Sequence, residues 1–146
     1  MLAKDDATGG ATREWFILID SSEKVKLYIS DNSASKACSR LSDSGLSVGW
    51  HFVGTTYDGS GGDVAANGII MYSEGALIAS TATNVAGYVA MENSTSAVAI
   101  GAQINNPAVP ANFFKDKIGM GFVVNRVLTA AEWLSLYNAT KKYYGQ

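Results

Sequence analysis

Asp58, Asp63 and Asn67 fall close together in a stretch of small polar residues, and Gln103, Asn105 and Asn106 form a second cluster of similar character. Each side-chain amide offers a pair of donors and an acceptor, a combination that suits sugar hydroxyls. Tyr57, Tyr88 and Phe113 add aromatic faces of the kind that stack on a pyranose. Carbohydrate binding is therefore expected from Tyr57, Asp58, Asp63, Asn67, Gln103, Asn105 and Asn106. The oxygens of Asp58, Asp63 and Asn67 also belong to the hard type that calcium requires, but their spacing is not that of an EF-hand. No cofactor is expected, and the competing reading is that these side chains cap turns.

Catalytic chemistry has little to draw on. His51 is the only histidine and Cys38 the only cysteine, so one residue would carry any Ser-His-Asp relay, and both an internal disulfide and a cysteine-built zinc site are excluded. Ser42-Asp43-Ser44-Gly45 reads as an ordinary turn. Charged residues make up 16% of the chain and the formal net charge is −2, which supplies no basic field for a phosphate backbone and argues against nucleic acid as partner. The longest apolar runs, such as Trp15 to Ile19, are far shorter than the roughly 20 residues of a membrane span. Lys4, Asp5 and Asp6 open the chain without the apolar stretch of a secretion signal, so either export does not use that route or the chain is a piece of something longer. Sequons at Asn93 and Asn138 matter only in a secreted eukaryotic chain.

The elements that must position these residues are strands. Val25, Leu27 and Ile29 alternate with Lys26 and Tyr28, the period of a strand with one buried face. Trp15 to Asp20 is apolar on both faces and precedes it across Ser21-Ser22, giving a hairpin. Residues 31 to 47 read as a long loop or weak edge strand. Further strands are expected at Val48 to Tyr57, Ile69 to Tyr72, Ala76 to Ser80, Ala97 to Gly101 and Lys117 to Asn125, where Ile118, Met120 and Phe122 should face the core. Pro107 and Pro110 mark an exposed loop between Asn105 and Asn112. One helix is expected near Thr129 to Lys142, opened by a Thr129/Glu132 capping box, with Trp133, Leu136 and Tyr137 on its apolar face. The 146 residues fit one all-β domain with a single late helix.

Three segments in order add a family resemblance. WHFVGTTYDG at Trp50 to Gly59 resembles the strand-and-turn signature of laminin G-like domains in the concanavalin A-like lectin/glucanase superfamily. MYSEGALIAS at Met71 to Ser80 is similar to that family's hairpin, and IGMGFVVNRVLTAAEWLSLY at Ile118 to Tyr137 to its last core strand and terminal helix. The family's first strand has no clear counterpart. The resemblance implies an antiparallel jelly-roll β-sandwich with one short C-terminal helix, in an extracellular or virion-associated setting. It also implies that His51, between Trp50 and Phe52, belongs to a structural strand. Hydrolases of this superfamily carry a Glu-x-Asp-x-Glu string, which is absent here, since none of Glu14, Glu23, Glu74, Glu92 and Glu132 has an Asp two residues on. Where related calcium loops have acids after Ile100-Gly101, this chain has Gln103, Asn105 and Asn106.

The expected function is a non-catalytic carbohydrate-binding or adhesion module, as part of a larger cell-surface or viral structural protein. The alternative is a structural domain that binds protein through a sheet edge, and a glycoside hydrolase is a distant third. If the first strand is absent, an open sheet edge makes a homo-oligomer the natural outcome.

Overall fold

The alternation around Leu27 organises the larger of the sheets. In the computed structural model, which describes residues 1–5, 12–105 and 109–145, β1 (Leu2–Lys4), β2 (Trp15–Ile19), β3 (Val25–Asp31) and β4 (Lys36–Ser42) form an antiparallel meander. β8 (Ser80–Thr83) pairs beyond β4 and β9 (Val98–Ile100) beyond β1, which gives a six-stranded sheet of order β8-β4-β3-β2-β1-β9. A three-stranded sheet contains β5 (Val53–Tyr57), β6 (Ile69–Ser73) and β7 (Ala76–Leu77). Val25, Leu27, Ile29 and Cys38 from the first sheet pack on Ile69 and Met71 from the second, with Ala65, Ala66 and Tyr88 closing the core. The protein is all-β, a sandwich of antiparallel sheets with one α-helix near its C-terminal end.

That helix, α1 (Ala130–Thr140), forms a further layer. Ile69 and Met71 point into the core, so Tyr72 and its partner Gly54 lie on the outer face of the smaller sheet. Trp133 lies stacked on Tyr72 with ring centroids 5.2 Å apart, and a Cβ on Gly54 would fall inside the Trp133 ring. Phe52, Phe122, Leu128 and Leu136 complete this second cluster. The helix begins as the sequence requires. Thr129 Oγ1 accepts from the Glu132 amide and Glu132 accepts from the Thr129 amide at 2.8 Å. Arg126 donates to the same carboxylate, which is held at about 2 through that hydrogen bond first and the Thr129 amide second. Thr129→Ala is expected to cost about 1 kcal/mol through loss of the cap, read by chemical denaturation; an unchanged midpoint would remove the cap from the stability account.

Several expectations need correction. Residues 36–42 are neither loop nor edge: β4 lies inside the six-stranded sheet between β3 and β8, because small side chains such as Cys38 and Ser39 fill positions where no bulk is needed. Ala76 to Ser80 is two strands, β7 and β8, in different sheets. The loop around the prolines is an antiparallel ribbon of β10 (Gln103–Asn105) and β11 (Val109–Ala111); each strand has a free edge there, where Pro110 needs no amide. Pro107 lies outside the described residues. Lys117 to Asn125 is not a strand of any sheet, and Ile118 and Met120 are exposed; only Phe122 reaches a core cluster. The glycines there serve close contacts instead: a Cβ on Gly119 would meet the Tyr144 ring and one on Gly121 would lie 3.2 Å from Ile100 Cδ1. Residues 2–4, which carry no strong pattern of their own, form β1 between β2 and β9.

Candidate functional site

The two polar clusters have different fates. Asp58 Oδ1 accepts from the Ser60 amide at 2.9 Å, Asp63 Oδ1 from the Gly87 amide at 2.7 Å and Asn67 Oδ1 from Asn84 Nδ2 at 3.0 Å. Tyr57 Oη accepts from the Gly61 amide at 3.0 Å. Asp58 also lies so close to Gly68 that a Cβ there would collide with its carboxylate. One oxygen of each of these four side chains is spent on the loop itself or on its junction with residues 84–90, while Asp58, Asp63 and Asn67 stay solvent-exposed. Tyr88 is only 1% exposed, and burial, with the Tyr57 phenol beside it, pushes its own phenol well up. It is a core residue and offers no face to a ligand.

Gln103 belongs to a different construction. The cross-strand row Ser39, Tyr28, Phe16 and Ala3 lies on the face of the larger sheet opposite the core, and Phe16 stacks on Tyr28 at 4.7 Å. Over this face runs the β10–β11 ribbon with the segment that follows it, leaving an open groove of about 400 Å³. Phe16 and Leu18 of β2 line it together with Gln103, Asn112, Phe113 and Lys115. Phe113 is 64% exposed, so an apolar ring face is presented to solvent beside two amides.

The amides are held from behind. Gln103 Nε2 donates to Asp5 Oδ2, Arg13 Nε lies 3.6 Å from Asp5 Oδ1, and Asn112 Nδ2 donates to Gln103 Oε1 at 2.6 Å. A carboxylate only accepts, so Asp5 fixes which way the Gln103 amide faces, and Gln103 in turn fixes Asn112. Among the described residues, the Oδ1 of Asn112 and one of its amide hydrogens have no partner, and the residue is solvent-exposed. Asn112 also holds φ at 50°, a left-handed conformation that a non-glycine residue adopts at some cost and that recurs at binding sites. Asn105 is described by its backbone, which pairs with Val109 in the ribbon, and Asn106 lies outside the described residues.

No family model, curated protein or solved structure matches the chain.

Reasoning from the sequence named Gln103 and Phe113 but missed Asp5, Phe16, Asn112 and Lys115. Asp5 lies 98 positions from Gln103, and no local pattern announces such a pairing. Asn112 was visible only as the end of an asparagine-rich stretch.

His51 forms the other polar constellation. Its Nδ1 lies 3.0 Å from Glu74 Oε1, and its Nε2 lies 3.3 Å from Ser47 Oγ and 2.9 Å from the Ser47 carbonyl oxygen. The separations are those of a serine–histidine–carboxylate relay, but Nε2 lies closer to the Ser47 carbonyl oxygen, which can only accept, than to the Ser47 hydroxyl. The arrangement fastens the loop before β5 to the β6–β7 turn, where Glu74 also accepts from the Phe52 amide at 3.2 Å. Among the described residues, no group of three or more His, Cys, Asp or Glu is placed to hold a metal ion, and no helix is long and apolar enough to cross a membrane.

Proposed function

We propose that this chain is a non-catalytic carbohydrate-binding module whose ligand lies in the groove over the outer face of the larger sheet. One observation carries the reading: an exposed phenylalanine ring adjoins an asparagine whose amide is oriented by a buried carboxylate–glutamine relay. Sugar recognition combines an apolar platform for the C–H face of a pyranose with planar polar groups that each give and take a hydrogen bond from neighbouring hydroxyls. Phe113 and Asn112 supply that pair, with Gln103 as the positioning residue. The laminin G-like resemblance of the three sequence segments, and the jelly-roll connectivity and extracellular or virion-associated setting it implies, belong to the same proposal.

A glycan array supplies the test ligand, and titration calorimetry of its best hit against variants locates the site. Phe113→Ala is expected to lower affinity about tenfold or more, equivalent to about 1.4 kcal/mol, at unchanged melting temperature. Asp63→Ala should weaken the loop around residues 58–67 and leave affinity unaltered. Binding that ignores Phe113 but responds to Asp63 would relocate the site to that loop. An array without a hit would move the assignment to the second reading, a protein-interaction domain that binds through a sheet edge.

A further inference from the structure

Cross-strand neighbours share a face of their sheet, so burial along one row reports how far the opposing layer extends. The row Cys38, Ile29, Trp15, Lys4 and Val98 runs across β4, β3, β2, β1 and β9 on the core side. Cys38 and Ile29 are 0% and 1% exposed, but Val98 is 53% exposed. In the next row Leu27 is buried and Ile100 is 55% exposed. Among the described residues three strands oppose six, and no sheet lies over the β9 flank of the inner face.

Beside this flank runs residues 117–124, free of turn or bend and of any ladder partner among the described residues. Gly121 approaches Ile100, and the Ile118 side chain comes within contact of the Gly101 position. Val98, Ile100, Ile118, Met120, Val123 and Val124 are 38–57% exposed and together leave on the order of 500 Å² of mostly apolar surface to solvent. That is more than half of the roughly 800 Å² each partner contributes to a standard interface.

We propose that this flank is a homodimer interface in which residues 117–125 of two copies pair antiparallel about Gly121. The sequence is self-complementary in that register. Met120 meets Phe122 and Ile118 meets Val124. Antiparallel pairing about one residue is an isologous, two-fold contact that closes on itself and leaves no surface to propagate a fibre. It gives ladder partners to a segment that has none and covers the half-exposed row of β9. The inference is independent of the glycan reading, whose groove lies on the opposite face of the larger sheet.

Sedimentation velocity across a concentration series tests it. The expected result is a monomer–dimer equilibrium whose dissociation constant rises at least tenfold in Met120→Glu. Met120 is solvent-exposed in the single copy, and circular dichroism with an unchanged melting temperature at low concentration verifies that the variant folds. Hydrogen exchange should show residues 117–125 gaining protection as the dimer forms. A monomer at every concentration overturns the proposal. So does a dimer that tolerates Met120→Glu and leaves residues 117–125 unprotected, because the contact then lies elsewhere.

Discussion

Trp133→Ala is expected to lower the stability of this protein by about 4 kcal/mol, within the range for truncating a large aromatic in a packed cluster. The ring is 6% exposed and lies against Tyr72, with Phe52 at 5.9 Å and Phe122 at 6.2 Å. Removing it leaves the outer face of the smaller sheet uncovered and detaches the helix from Gly54, which exists without a side chain so that the indole can lie directly on the β5 backbone. Gly54→Ala should therefore also destabilise the protein in the presence of Trp133, and cost much less once Trp133 is alanine. Urea denaturation of the two single variants and the double variant measures that coupling. Strict additivity would mean that the indole does not rest on Gly54.

Asp31→Ala is expected to cost about 3 kcal/mol or more, since removal of one carboxylate strands several amide donors at once. Asp31 is 1% exposed at the end of β3. Its Oδ1 accepts from the Ala34 amide at 2.9 Å and from Ser33 Oγ at 3.1 Å, and its Oδ2 from the amides of Val89 at 2.8 Å and Ala90 at 3.3 Å. These bonds tie the β3–β4 turn to the chain that carries Tyr88 into the core. The amide of Ala34, followed by that of Val89, holds the Asp31 carboxyl below its ordinary value against the opposing effect of burial. On acidification the unfolded chain takes up this proton before the folded one does. The stabilisation is thus complete above the ordinary carboxylate range and is lost as the pH falls through that range towards the folded value. Denaturation midpoints measured on the acid limb should fall more steeply in the wild type than in Asp31→Asn. Parallel limbs would show that Asp31 does not contribute to the acid sensitivity.

Local chemistry made part of this structure legible. The period of Val25, Leu27 and Ile29 shows in the sequence because a strand with one buried face needs that alternation wherever it sits. The Thr129/Glu132 box shows because its partners lie within one turn of helix. Lys117 to Asn125 carries the same kind of alternation as β3 and yet forms no strand, since a strand also requires a neighbour to pair with, and pattern alone does not provide one. β4 was obscured for the opposite reason: its interior position comes from ladders to β3 and β8, and its small polar side chains give little hydrophobic signal.

The candidate site divides along the same line. Residue types by themselves determined that amides and aromatics, and no basic field or carboxylate string, are the material available for recognition. Which of them converge was decided by tertiary structure alone. Asp58, Asp63 and Asn67 look equivalent to Gln103 in sequence, but each gives one oxygen to a backbone amide or a neighbouring side chain and, among the described residues, none is oriented by a buried carboxylate. Gln103 is instead brought to Asp5 by pairing of β1 with β9 and the short turn into β10, and this orients Asn112 beside Phe113. Hydrogen-bonding capacity is a property of each residue, whereas the direction in which it is spent depends on what the folded sheets place opposite it.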